Sequence, residues 1–282
     1  MSAIKVQLIL YWVAVGFCFL GTFFFVASLT FKKEQWLRFG VIFSFLASLP
    51  LTAGIIARWI ETGHFPYWGP YEVFTSYAWG ALLFYLVVQL FKPNLKIAGT
   101  VVAPAVLLMT GIGVMSSTEM GDIPKTFFTY WLWIHIFFAK LSYGSVLIST
   151  ALALSYLIKS RLEEKGATNP LLGKLPPLTK IDHLIYQFVA FGLVMLGIMI
   201  ASGAVWAYKA WGRYWGWDPV ETWALISWLV YALYLHLRIA LGWKGKRSAW
   251  FAIFAMVVVV FSFFGIPLFY DSIHEHLDYL KE

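Results

Sequence analysis

Charged residues are scarce in this sequence of 282 amino acids. They make up 12% of the chain, whereas 61% of it is hydrophobic. A soluble domain carries about 25% charged residues, so this composition excludes an ordinary soluble protein and indicates a protein embedded in lipid. The net charge of +7 then reports membrane orientation rather than nucleic-acid binding, because Lys and Arg are enriched in cytoplasmic loops. We expect no nucleic-acid partner.

Cysteine is almost absent. The single residue, Cys18, falls inside the first apolar run. One cysteine excludes a disulfide framework, a CxxC redox pair or a cysteine zinc cluster within this chain. Any thiol that takes part in the chemistry must therefore belong to another molecule.

Long apolar runs make up most of the sequence. A membrane-spanning helix needs about 20 apolar residues, and runs of that length predict a single membrane domain over residues 1–282. We expect an all-α integral membrane protein, a bundle of about eight transmembrane helices with short loops. The predicted spans are 7–30, 40–60, 71–91, 97–115, 128–158, 183–205, 220–240 and 249–270.

Basic residues give the predicted orientation. Fourteen of the twenty-one Lys and Arg residues fall in odd-numbered connections, including the polar linker 159–182. The positive-inside rule places that linker in the cytoplasm and both termini outside. Three features then share the outer face: the start of span five with His135, the segment 206–223, and the tail with His274 and His276.

The segment 206–223 reads WAYKAWGRYWGWDPVETW. Trp and Tyr commonly form interfacial belts, but belts are spread over many helix ends. Concentration in one external connection with two glycines favours a platform for a large flat ligand. The tryptophans of this platform are Trp206, Trp211, Trp215 and Trp217.

Polar residues are placed among these rings. Lys209 and Arg213 could bind the carboxylates of an aromatic ligand, or could pack on neighbouring rings as cation–π pairs. Asp218, Pro219 and Glu221 read as N-cap, first position and third position of a helix, which predicts a capping box at the start of span seven.

Six histidines are present, and ionisable groups inside membrane segments are functional candidates. His135 and His274 both fall near the outer surface and could ligate one iron from opposite sides. His236 lies fifteen residues after Glu221, about 22 Å along a helix, and so near the inner side. A straight span two would put His64 near the outer face, unless its Gly/Pro-rich surroundings dip back into the bundle.

The two other histidines have simpler interpretations. His183 begins span six on the cytoplasmic side, where we expect it to be solvated. His276 is a near neighbour of His274 and could take its place as a ligand.

The run SGAVWAYKAWGRYWGWDPVETWALISWLVYALYLHLR resembles the WWD domain of the CcsA (ResC) family, a component of system II of cytochrome c maturation in bacteria and chloroplasts. The similarity continues through WIETGHFPYWGPYEVFTSYAWG, WLWIHIFFAKLSYG and FFGIPLFYDSIH, and so covers essentially the whole chain in family order.

The resemblance implies two bis-histidine sites for haem b. By motif position, His64 and His236 match the pair that binds haem within the membrane, and His135 and His274 match the external pair that flanks the WWD loop. It also implies a separate partner, a CcsB (ResB)-type membrane protein, and the CxxCH segment of apocytochrome c as the second substrate.

These features predict a cytochrome c haem lyase (synthase) component, active with its partner. It would hold haem at the outer, periplasmic face of a bacterial plasma membrane, or in a thylakoid membrane if the protein is plastidic, for thioether attachment. Two alternatives stay open: a b-type dihaem electron-transfer protein using the same histidines, and a haem exporter that delivers to a carrier, as CcmC proteins do.

Overall fold

A computed structural model describes residues 2–119, 128–167 and 169–272 of the chain. The regular structure in these ranges is helical, without a strand. The helices are α1 (Ala3–Phe31), α2 (Glu34–Thr62), α3 (Gly69–Phe91), α4 (Gly99–Met115), α5 (Tyr130–Glu164), α6 (Leu178–Trp211), α7 (Pro219–Ile239), α8 (Lys246–Val260) and α9 (Ile266–Phe269).

Shorter turns join some of these helices. The 3-10 segments Pro93–Ala98 and Leu172–Lys174 precede α4 and α6, and the π-helical turn Phe261–Gly265 joins α8 to α9. Eight segments in the described ranges are long and apolar enough to cross a membrane, and this confirms the predicted all-α, eight-span class.

Several helices extend beyond their predicted ends. The helix α5 continues through Glu164, and α6 runs from Leu178 to Trp211. The polar connection is therefore 165–177 rather than 159–182, and the aromatic connection is 212–218 within 206–223. Apolar runs mark only where the side chains suit lipid, whereas helical backbone bonding continues through good helix formers such as Glu, Lys and Arg.

The chain divides into two compact units. The first is Met1–Gly121 with Ser155–Ile181, and the second is Asp122–Leu154 with Asp182–Glu282. In the first unit α1 packs on α2 and α4, and α3 packs on α4. The ring of Phe25 lies directly on Gly40 and Gly99, and the ring of Tyr11 lies on Gly54. These bare backbone positions let the helices approach closely, as small residues do at membrane helix interfaces.

In the second unit α5 and α6 are joined by a row of hydrogen bonds. Ser145 Oγ donates to the carbonyl of Phe188 (2.6 Å), and Ser142 Oγ donates to that of Gly192 (3.1 Å). Each step back along α5 is a step forward along α6, so the two helices are antiparallel. This seam leads from the middle of α5 towards its first turns, where His135 lies.

The start of α6 and the end of α7 are tied by a bidentate ion pair in the same unit. Arg238 Nη1 and Nη2 lie 2.9 and 2.7 Å from the carboxylate oxygens of Asp182. The backbone N–H of Gly245 donates to the same carboxylate at 2.8 Å. The pair therefore fixes the turn before α8.

Candidate functional site

The aromatic connection 212–218 is fixed at both of its ends by local backbone chemistry. Gly212 ends α6 with φ 72°, a left-handed conformation that glycine adopts readily, and its N–H donates to the carbonyl of Tyr208. At the other end Asp218 accepts from the N–H of Val220 (3.0 Å) and forms a capping box with Glu221. The predicted capping box is confirmed, and α7 begins where it was expected.

Glu221 also holds the middle of the connection. Its Oε2 accepts from the N–H of Gly216 at 2.7 Å and from the N–H of Asp218 at 3.3 Å. A Cβ on Gly216 would collide with the guanidinium of Arg213, so the glycine lets that side chain lie against the backbone. Lys209 and Arg213 are both exposed, as cations must be to reach the carboxylates of a ligand.

The rings of the segment 206–223 pack in pairs. Trp206 is buried, with its ring centroid 4.9 Å from that of Trp211 in an edge-to-face arrangement. The rings of Tyr208 and Tyr214 are stacked, with centroids 4.4 Å apart and planes at 9°. These pairs stiffen the segment, because such contacts contribute about 0.5–1.5 kcal/mol beyond the buried area.

Trp217 is the most exposed of the four tryptophans. Its indole is edge-on to Trp215 at 5.7 Å, and 71% of its surface is exposed. Its φ of 57° lies in the left-handed region, which bulky residues avoid. Such strain is concentrated at functional sites, so Trp217 is the strongest candidate for direct ligand contact.

A C-terminal segment is tethered to this connection. Ser272 Oγ donates to Asp218 Oδ1 over 2.8 Å, and both side chains are buried. Asp218 therefore caps α7 and also binds Ser272. Ser272 lies two residues before His274 in the sequence, and His274 and His276 lie outside the described residues.

His135 continues the seam between α5 and α6. Its Nδ1 lies 2.8 Å from the carbonyl oxygen of Met199. A carbonyl can only accept, so Nδ1 carries the proton of the neutral ring and Nε2 carries the lone pair. A Cβ on Gly203 would lie 2.6 Å from Nδ1, so the ring depends on glycine there.

This arrangement of His135 is one that a metal ligand could have. Metal-bound imidazoles commonly donate their second N–H to a carbonyl or carboxylate, which fixes the ring. Its neighbour Gly203 lies eight residues before Trp211, about 12 Å along α6. The same hydrogen bond would also serve a purely structural histidine in a seam of serines, and the half-buried ring is compatible with both roles.

His64 lies in the non-helical segment 63–68 of the first unit. Gly63 ends α2 with φ 75°, and the side chain of His64 is only 2% exposed. Its Nδ1 lies 2.9 Å from the carbonyl oxygen of Phe65, which again leaves the lone pair on Nε2. The chain thus leaves the helix before His64, as the Gly/Pro-rich sequence allowed.

Tyr67 packs beside His64. Their ring centroids are 5.0 Å apart. Burial, and secondarily the charge of Glu72, raises the pKa of Tyr67 to about 12. Its phenol therefore stays protonated and adds no charge next to the imidazole.

His236 lies near the end of α7 in the second unit and is exposed, as is His183 near the start of α6. The exposure of His183 agrees with the solvated position expected for it, which stays a prediction. His64 and His236 belong to different units, and their pairing stays a prediction.

Three residues that the sequence interpretation missed are Ser272, Arg58 and Glu72. The signal for the last two was present, because each is the only charged residue in its predicted span, 40–60 or 71–91. Arg58 Nε lies 2.6 Å from Glu72 Oε1, and the pair is buried. Nothing in the sequence indicated the bond of Ser272 to Asp218.

In the described ranges the fold defines a helical, multi-pass integral membrane protein, with an aromatic connection after α6 and an oriented histidine packed on α6. The family model for cytochrome c assembly proteins matches residues 67–274. CcsA cytochrome c biogenesis proteins are similar over most of their length. That of Guillardia theta is 34% identical over 88% of this chain and 89% of its own, and that of Parasynechococcus marenigrum is 33% identical over 82% and 84%.

A solved structure of the cytochrome c haem lyase CcmF has the same fold. The TM-score is 0.72 at 16% identity, and the match covers 94% of this chain and 47% of the CcmF chain. This chain therefore spans about half of that protein. On the family match and the curated relatives together, the chain belongs to the CcsA family of cytochrome c biogenesis proteins.

Proposed function

We propose that this chain holds haem at the membrane face opposite its lysine-rich connections and presents it for thioether attachment to the CxxCH segment of apocytochrome c. It acts as a haem lyase component together with a CcsB/ResB-type membrane protein. Family membership supports a role in cytochrome c biogenesis. The site chemistry supports haem as the cargo.

The residues present fit haem. An imidazole with its lone pair on Nε2 suits porphyrin iron, exposed indole suits the flat ring, and exposed cations suit the propionates. Bound haem supplies the vinyl groups to which the cysteine thiols add. The proposed haem-binding residues are His135 and His274 as the catalytic iron ligands, Trp206, Trp211, Trp215 and Trp217 as the aromatic surface, Lys209 and Arg213 for the propionates, and Asp218, which also binds Ser272.

A second haem site in the membrane would use His64 and His236. Together with the external pair this gives the two bis-histidine haem b sites that the family resemblance implies. His64 is buried, and its hydrogen bond to the carbonyl of Phe65 leaves the lone pair on Nε2. Both observations support His64 as a ligand of this second site.

The observation that carries the proposal is the orientation of His135 by the carbonyl of Met199. The tether of Ser272 to Asp218 adds to it, because it ties the sequence next to His274 to the aromatic connection. The chain's main contribution to attachment is then proximity and orientation of the reacting groups. The described side chains provide no clear general base, and the thiols and the vinyl groups carry the chemistry.

Co-expression with the partner and a CxxCH reporter tests this function. We expect covalent haem on the reporter with the wild-type chain and none with His135→Gly, with partial recovery when imidazole is added. His183→Gly, an exposed histidine of α6, is the matched control and should mature the reporter normally. Normal maturation with His135→Gly would contradict the proposal. Haem uptake without maturation by the wild type would favour the dihaem electron-transfer alternative.

Labelling tests the proposed face. The one native thiol, Cys18, is buried, and a Cys18→Ala background removes it. A membrane-impermeant thiol reagent should label Tyr214→Cys in intact cells, and should label Lys165→Cys only after lysis. Both parent residues are exposed. The reverse pattern would place the aromatic connection in the cytoplasm.

A further inference from the structure

The proposed function assigns no role to the buried ion pair of Arg58 and Glu72. Its arrangement points to a role beside His64. The carboxylate of Glu72 is fully buried, and the side chain of Arg58 is 4% exposed. A buried ion pair of this kind adds little net stability, because the cost of desolvation offsets much of the attraction.

Glu72 organises the segment that carries His64. It lies in the first turn of α3, and its Oε2 accepts from the backbone N–H of Tyr67 at 3.0 Å and from that of Trp68 at 2.8 Å. A negative group is favoured at this end of a helix. The carboxylate therefore fixes the last two residues of the segment 63–68.

The same oxygen faces the imidazole. Nδ1 of His64 lies 3.9 Å from Glu72 Oε2 and donates to the carbonyl of Phe65. Thr62 holds the backbone on the other side of the histidine, donating to the carbonyl of His64 at 3.0 Å. The ring is thus fixed with its Nδ1 edge towards a negative charge and with Nε2 on the opposite edge.

Arg58 keeps the carboxylate in place. It binds Glu72 through Nε at 2.6 Å and lies 3.6 Å from Glu61 through Nη1, with its guanidinium over the ring of Tyr71. Gln7 Nε2 donates to Glu61 at 2.6 Å and so extends the network to α1. These contacts hold the arginine in one position from several helices.

We propose that Glu72, held by Arg58, is the positioning residue for His64 as an iron ligand. The carbonyl of Phe65 accepts the Nδ1 proton, and Glu72 fixes the backbone that follows by accepting from Tyr67 and Trp68. Glu72 also places a negative charge 3.9 Å from Nδ1. Groups that surround a metal-bound histidine in this way set its orientation. This inference rests on the proposed function, since it requires His64 to bind haem. It assigns a role to two residues outside the histidines and the WWD segment.

The test is haem titration of the purified full-length chain in a His135→Ala background, so that the external site does not contribute. We expect Glu72→Gln to weaken haem binding about 10-fold or more. We also expect a higher haem reduction potential, because the lost negative charge favoured ferric iron. Glu34→Gln removes the carboxylate from an ion-pair group at the other end of α2 and should change neither quantity.

Glu72→Gln removes the buried carboxylate that pairs with Arg58 and leaves only the partly exposed Glu61 at 3.6 Å, so we expect it to lower the stability of the fold. The double variant Arg58→Met, Glu72→Gln removes both charges and should restore the melting temperature. A merely structural pair would then show wild-type haem affinity and potential, and that result would overturn the inference. Persistently weak binding and a raised potential in the folded double variant would support it.

His64→Ala in the same background distinguishes the ligand role of His64 from the positioning role of Glu72. If it binds haem as well as its parent does, His64 is not a ligand and the proposed membrane site itself is wrong. If His64→Ala loses haem and both Glu72 variants bind like the parent, only the positioning role is wrong.

Discussion

Replacing Ser272 by alanine should release the C-terminal segment from the aromatic connection. The hydroxyl of Ser272 donates to Asp218 Oδ1 over 2.8 Å at a buried position. A hydrogen bond to a charged group contributes about 1.5–3 kcal/mol, and about 1.4 kcal/mol corresponds to a factor of ten. The ratio of tethered to released chain should therefore fall about 10- to 150-fold. The bond from Val220 N–H to Asp218 remains, so the cap of α7 is kept.

Hydrogen exchange followed by mass spectrometry on the peptide 266–272 measures this release. Exchange should accelerate in Ser272→Ala by up to the same factor, and maturation of a CxxCH reporter should fall with it. Ser272→Thr keeps the hydroxyl and is the matched control, with exchange close to wild type. Unchanged exchange together with unchanged maturation in Ser272→Ala would refute the reasoning.

Two further substitutions test the site. Gly203→Ala would bring a methyl group to 2.6 Å from His135 Nδ1, so it should abolish reporter maturation without loss of membrane insertion. In the control Gly192→Ala the closest contact of the new methyl group is 3.7 Å, and maturation should be unchanged. Equal maturation in both variants would contradict the assigned ring position. Trp217→Gly relieves a left-handed backbone that costs about 1–2 kcal/mol, so thermal stability should hold or rise while haem affinity falls. Lower stability with unchanged haem affinity would contradict its role as a ligand contact.

The number of spans could be predicted because lipid imposes a simple length rule on apolar runs. The start of α7 could be predicted as well, because Asp218, Pro219 and Glu221 form a cap from neighbouring residues. The structure of the last apolar run was harder to predict. It was predicted as one span over 249–270, and it contains a π-helical turn that brings the ring of Phe261 to 4.4 Å from that of Trp223. Such an interruption depends on packing between helices.

The candidate site could be predicted only in part from the sequence. The aromatic segment and the histidines stand out by composition, whereas the contacts that orient them do not. The carbonyl of Met199 is a backbone group, which every residue has, so the sequence could not show that it contacts His135. The bond between Ser272 and Asp218 joins positions 54 residues apart. Arg58 and Glu72 were visible as charges inside spans, but their pairing required the fold.

The central claim is that His135 binds haem next to the aromatic connection. Titration of the purified chain with haem tests it most directly, by visible absorption of the wild type, His135→Ala and the control His183→Ala. We expect the wild type and the control to take up haem with the spectrum of low-spin bis-histidine iron, and His135→Ala to lose the part that belongs to the external site. A wild type that stays colourless, or a His135→Ala variant that binds as much haem as the wild type, would contradict the account.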